Sequence, residues 1–365
     1  MMKGTSQHAS VELIFRQAAT IDRTLTIRPP LLSPLARRQL RSIPFSRSTL
    51  FQSMSAGEPV LFDGLETTVR GQPAPTPADG VIHALESSFS PRDKFRVRCG
   101  ARGDVRLISV QELLRRWKSG RARVSVTDLH IRGTKACRRI DCSRLSDFNL
   151  FPGSAAAVAQ QEMLTMVVSS AGTFSDSHTD DPDGSNHCFV GRKLWLVWDT
   201  FAGLSRGLED VERCLVEADQ AAFSIKAFLA VPKSRWFVVE PGKTLFLPGH
   251  LTHKVVTLEP YLGVGSFFVM LPSYLRTLER WTRHTPLWAL ESPPQRRLDL
   301  VDRITSIVTR KVQRLANAPA DEQQRWGLPD LRAAMARWKQ KPLAARTVLM
   351  ENPVSAYLLR TLNEI

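Results

Sequence analysis

From about residue 50 to residue 272 the chain alternates between short apolar runs and Gly/Pro-containing joints. Residues 50–54 have helical character, and the Gly-Glu-Pro joint at 57–59 leads into an apolar run that predicts a buried strand. Residues 68–80, rich in Pro and Gly, predict a loop. Ser109 and Glu112 stand three apart, before an apolar run that ends at Trp117. This is the pattern of a capping box, and Gly120 marks the stop. Residues 123–131 alternate as a half-buried strand does. Residues 163–168, 194–198, 236–240, 244–247, 254–257 and 262–269 continue the series. Short strands with turn-rich joints predict a β-sandwich or barrel.

After Pro272 the period changes. Leu300, Val301, Ile304, Ile307, Val308, Val312 and Leu315 recur at helical spacing, and residues 328–338 and 355–362 look helical too. No internal repeat is visible. The expected organisation is a basic flexible arm at 1–46, marked by Pro29, Pro30, Pro34 and Arg37-Arg38, a β-rich domain at 47–275, and a basic helical region at 276–365. The apolar stripe of that region is too hydrophobic to stand alone in water. It either completes the core of its own subunit or helps form a homodimer, and its Arg-rich opposite face suits an acidic partner.

Composition adds little about fold and something about partners. Hydrophobic residues at 43% and charged residues at 23% are ordinary for a folded soluble chain. Fifty Lys and Arg against 35 Asp and Glu give a formal net charge of +15, so weak binding to polyanions through the basic tail is expected. The five cysteines, Cys99, Cys137, Cys142, Cys188 and Cys214, are odd in number and lack zinc-finger spacing. Reduced thiols and an intracellular protein, nuclear or cytoplasmic, are the expectation. No apolar run is long enough to span a bilayer, and the N-terminus has no apolar stretch of the secretory type.

The chemistry concentrates in one segment. Ser175-Asp176-Ser177-His178-Thr179-Asp180 contains His-x-Asp, and residues two apart on an extended chain point to the same side. An imidazole and a carboxylate can then share one ion, and His253 supplies a third ligand. Two histidines and one carboxylate make the facial set of non-haem Fe(II) oxygenases, with three positions left open. His187 and His250 are rival ligands. Lys193, at the head of the next strand, is a compact cation suited to a carboxylate.

These segments resemble the JmjC family of the cupin superfamily. Residues 172–180 and 191–197 are similar to its first metal motif and cofactor lysine. Residues 240–253 resemble its second metal motif, and 263–268 the strand that follows. Residues 124–129 and Phe151-Pro152 echo the histone-demethylase subgroup linked to F-box and PHD-finger proteins. The resemblance spans roughly residues 50–275. It implies a double-stranded β-helix (jelly-roll, cupin) core, mainly β, with flanking helices. It further implies an Fe(II)- and 2-oxoglutarate-dependent dioxygenase that hydroxylates or demethylates a protein or peptide, histone among the candidates. On this reading His178, Asp180 and His253 hold the iron, His253 rather than His250 because a strand begins immediately after it, as in the family. Lys193 and Ser175 take the 2-oxoglutarate carboxylate, and Asn186 contacts the co-substrate. Ser125 stands where the subgroup has a cofactor-contacting asparagine. A non-catalytic protein of the same fold is the alternative, either chromatin-associated or nucleic-acid-binding. No reader module such as a zinc domain accompanies the motifs.

Overall fold

The computed structural model describes residues 3–63, 68–69, 78–100, 103–141, 148–150, 164–180, 182–199, 223–249, 251–288 and 294–364. The N-terminal segment forms α1 (Lys3–Ile21), a short 3-10 turn (Arg23–Leu25) and α2 (Pro29–Arg38). Next come β1 (Ile43–Pro44), α3 (Arg47–Ala56), β2 (Val60–Asp63), β3 (Thr68–Val69) and α4 (Ala78–Glu86). Then follow β4 (Phe95–Cys99), β5 (Asp104–Ile108), α5 (Val110–Ser119), β6 (Val124–His130), α6 (Lys135–Arg139) and β7 (Ile140–Asp141). The central strands are β8 (Leu164–Ser169), β9 (Phe174–Thr179), β10 (Asp183–Val190) and β11 (Lys193–Trp198). After α7 (Ile225–Ala230) come β12 (Arg235–Val239), β13 (Lys243–Leu247), β14 (Thr252–Thr257) and β15 (Tyr261–Phe268). The chain closes with α8 (Leu271–Trp288), α9 (Pro294–Ala316), α10 (Ala320–Trp326), α11 (Leu328–Lys339), α12 (Leu343–Met350) and α13 (Pro353–Glu364).

A nine-stranded sheet has the order β1-β2-β13-β10-β15-β8-β6-β4-β5, and a four-stranded sheet has the order β12-β11-β14-β9. Leu61, Val167, Cys188 and Leu245 of the first sheet share a core with Trp195, Val197, Phe237 and Val255 of the second. The two inner faces therefore pack on each other. The outer face of the large sheet carries α3, α4 and α5, through residues such as Phe51, Leu85 and Trp117. The fold is thus a mixed α/β architecture with large sheets. The expectation of a mainly β protein undercounts the helices, because both outer sheet faces need apolar cover.

Helix α5 shows why local patterns only partly transfer. Ser109 caps it, accepting from the Glu112 amide at 3.3 Å, and Gly120 ends it with φ +64°. Glu112 does not reach back to complete the capping box. Its carboxylate accepts from Arg115 and Arg116 instead, and the Arg115 bonds hold its pKa down at about 2.

Within the expected flexible arm at 1–46, residues 3–46 carry α1, the 3-10 turn, α2 and β1. Val11, Ile14, Phe15 and Ala18 fall at the spacing of one helix face, and they pack with Leu194, Leu196, Trp198 and Val256 on the outer face of the small sheet. Phe15 meets the Trp236 ring edge-on at 5.1 Å, and the Trp236 indole donates to the Leu35 carbonyl at 2.7 Å. The proposed boundary at 275/276 falls inside α8. That helix brings Leu271, Tyr274 and Leu278 into a separate core with Ile304, Val308, Val312, Leu331 and Leu358. The apolar stripe of α9 is therefore buried within its own chain, the first of the two roles expected for it. Among the described residues Cys99, Cys137 and Cys188 are free, and no helix is long and apolar enough to cross a membrane. Cys142, Cys214 and Phe151-Pro152 lie outside the described residues.

Candidate functional site

Strands β9 and β14 are antiparallel neighbours, and His178 stands directly opposite His253 in their register. Their rings lie 4.2 Å apart, centroid to centroid. Two residues beyond His178, the Asp180 carboxylate lies 3.8 Å from Nε2 of His178 and 3.5 Å from Nε2 of His253. One ligand atom from each of the three falls within 4.8 Å of the others.

The backbone fixes which imidazole nitrogens face this point. Nδ1 of His178 donates to the Asp176 carbonyl at 2.7 Å, and Nδ1 of His253 donates to the Leu251 carbonyl at 3.1 Å. A carbonyl only accepts, so each Nδ1 carries the proton and each Nε2 presents a lone pair. Burial, reinforced by the neighbouring His253, lowers the His178 pKa and favours the neutral ring that a metal needs. Burial alone would raise the Asp180 carboxyl; a proton on Nε2 of His253 would outweigh it by hydrogen bond and charge, helped by His178, and a metal ion in that proton's place would favour the carboxylate in the same way. Two neutral nitrogens and one carboxylate oxygen fit a divalent first-row metal such as iron.

A register shift between β9 and β14 completes this face. His178 pairs with His253, but Ser175 pairs with Val255, so two β9 residues oppose Lys254 alone. The bulge brings Ser175, three before His178, onto the same cavity as the histidines. The cavity between the sheets holds about 690 Å³ and is lined by all three candidate ligands, by Lys193 and by Trp195.

Lys193 is the second focus. It heads β11 opposite Thr257, only 5% exposed, and its Nζ donates to the Ser169 hydroxyl at 3.1 Å over the Tyr261 ring at 4.8 Å. Among the described residues no carboxylate pairs with it. Burial pulls its pKa down to about 7. The Ser175 hydroxyl and the Trp195 indole N–H are buried without a hydrogen-bond partner. An uncompensated buried cation with two unspent polar groups on the same cavity fits an anionic ligand carrying further acceptors.

No protein-family model matches this chain, and no curated protein matches it.

The other sequence candidates sort by their contacts. Asn186 lines the cavity, and its Oδ1 accepts from the Tyr261 hydroxyl. Ser125 meets the Ser169 hydroxyl at 3.1 Å, so it reaches Lys193 only through that serine. His187 is not part of the metal group. It is buried against Thr244 at 2.8 Å and Phe189, and burial lowers its pKa to about 4. His250 lies outside the described residues. Sequence reasoning missed Trp195, Ser169, Arg96 and Arg98. The basic–apolar alternation of residues 95–99 was a strand signal that could have brought both arginines into view.

Proposed function

We propose that this protein is an Fe(II)- and 2-oxoglutarate-dependent oxygenase of JmjC type acting on a protein or peptide. The observation that carries the reading is the pairing of two foci in one cavity: three convergent metal donors, and a buried lysine with no carboxylate of its own. From β8 to β15 the chain moves between the two sheets in the order large, small, large, small, small, large, small, large. That alternation supports a double-stranded β-helix, with β13-β10-β15-β8 facing β12-β11-β14-β9.

His178, Asp180 and His253 would hold the iron, whose contribution when bound is the activation of dioxygen. Lys193 neutralises the distal carboxylate of 2-oxoglutarate, and the Ser175 hydroxyl adds a donor there. The carbonyl groups behind each Nδ1 keep the imidazoles from rotating. Burial of Lys193 excludes water from the anion's far end, which strengthens the contact. Whether hydroxylation or demethylation results follows from the carbon that the substrate presents.

Succinate formation from 2-oxoglutarate by the iron-loaded full-length protein, followed by NMR, tests this reading. Iron-dependent turnover that Asp180→Ala abolishes supports it. Wild-type protein that binds iron yet neither binds nor consumes 2-oxoglutarate would leave the fold without this activity.

A further inference from the structure

The cavity extends beyond the metal donors and Lys193, and its outer wall carries residues with no task so far. That wall is the β4–β5 hairpin, the outermost pair of the large sheet. Arg98 stands opposite Val105 and Arg96 opposite Leu107, so these four share one face. Arg96, Arg98 and Val105 line the cavity. Arg98 also stands opposite Ser125, and Ser125 touches the serine that anchors Lys193. The wall is therefore continuous with the anion site.

Two features of this wall call for a ligand. Arg96 and Arg98 lie two residues apart on one strand face, roughly 7 Å from each other, and neither has an ion-pair partner among the described residues. Like charges held this close without a counter-ion make a site for an anionic group. Beside them, Val105 is 53% and Leu107 66% exposed, and the outer edge of β5 pairs with no strand among the described residues. A free strand edge offers backbone donors and acceptors to an extended peptide. Asp128 and Asp176, on β6 and β9, also line the cavity, and neither forms an ion pair with Arg96 or Arg98.

We propose that the β4–β5 hairpin docks the substrate as an extended peptide that is both acidic and apolar. A side-chain carboxylate lies between Arg96 and Arg98, an apolar side chain covers Val105 and Leu107, and the backbone runs along β5. Calling this peptide the substrate rests on the oxygenase reading; the docking itself does not. The same arginines oppose a cationic segment, so a Lys- and Arg-rich histone tail fits this wall poorly.

Fluorescence anisotropy on the metal-free, full-length protein tests the docking with three probes: a labelled peptide of Glu-Ser-Leu repeats, the same peptide with Lys for Glu, and single-stranded oligothymidylate. The Glu peptide should bind at least about tenfold tighter than the Lys peptide. Arg96→Ala/Arg98→Ala should erase that preference, and Leu107→Asp should weaken the Glu peptide with the arginines intact. All three positions are at the surface or rim, so unchanged circular dichroism is expected. Equal binding of the two peptides, no binding of either, tighter binding of the oligonucleotide, or a preference surviving in the double variant would each overturn the proposal. Since no metal is used, failure of 2-oxoglutarate turnover would count against the oxygenase reading and leave this result intact.

Discussion

Asp22 and Lys254 form an ion pair, Oδ2 to Nζ, at 2.8 Å, with the lysine wholly buried and the aspartate 6% exposed. Lys254 follows the candidate ligand His253 on β14, and its side chain turns the other way, toward the N-terminal layer. There Nζ also lies 5.4 Å from the ring centres of Phe174 and Phe223. Asp22 caps the 3-10 turn behind α1, accepting from the Thr24 amide at 3.0 Å. The N-terminal segment is thereby fastened to the strand that carries a candidate metal ligand.

Removing one partner leaves a buried charge alone, which typically destabilises by about 3–5 kcal/mol. Asp22→Ala should therefore lower stability to urea by that order. Asp22→Ala/Lys254→Met, which removes both charges, should recover most of the loss. A single variant as stable as wild type would mean that the pair is solvated in solution.

Much of the fold and site was legible in the sequence, and the rest was not for physical reasons. The apolar runs of β8, β11, β13 and β15 are buried on both faces and stand out. His178 and Asp180 were legible from their spacing and His253 from the family resemblance, and the register of β9 against β14 brings the three together. Strands β9 and β10 were not read as strands, since Phe-Ser-Asp-Ser-His-Thr and Asp-Gly-Ser-Asn look like turns. In β10 the polar residues find partners inside the fold: Ser185 with Ser266, Asn186 with Tyr261 and His187 with Thr244. In β9 Ser175, Asp176 and His178 line the cavity. Hydropathy alternation fails wherever the inner face of a strand is polar for the sake of a site. Helix α1 escaped notice for another reason: its apolar face, Val11 to Ala18, is short and set among basic and polar residues.

The protonation of Lys193 sets a pH dependence. Burial lowers its pKa to about 7 without an anion present, and a bound carboxylate would raise it. Below pH 7 the lysine is already charged, so the affinity for 2-oxoglutarate is flat. Above pH 7 binding must take up a proton, and the dissociation constant should rise by about tenfold per unit. Calorimetric titration across this range, in buffers of different ionisation enthalpy, should show proton uptake on the alkaline side only. A pH-independent affinity would remove Lys193 from the anion site.

Lys193→Ala should weaken 2-oxoglutarate by about one to two decades, the equivalent of roughly 1.5–3 kcal/mol for a charge-assisted contact. Iron binding should be nearly unchanged, because the lysine addresses the anion and not the donors. An unaltered 2-oxoglutarate requirement would shift that role to another cation, with Arg192 the nearest in sequence.

Gly191 tests the turn that delivers Lys193. Its φ is +81°, and an added Cβ would stand 1.9 Å from the Pro260 carbonyl oxygen. Gly191→Ala should destabilise by at least about 2 kcal/mol through strain and collision with backbone, and should weaken 2-oxoglutarate with it. Thermal unfolding of the variant at wild-type temperature would show that the turn gives way without penalty.

The most direct test is an anaerobic equilibrium dialysis of Fe(II) against wild-type protein and the variants His178→Ala, Asp180→Ala and His253→Ala. One equivalent should be retained by wild type, and each variant should lose it while its circular dichroism stays unchanged. Wild type that retains no iron, or any of the three variants holding it as tightly as wild type, would contradict a metal centre built from these side chains.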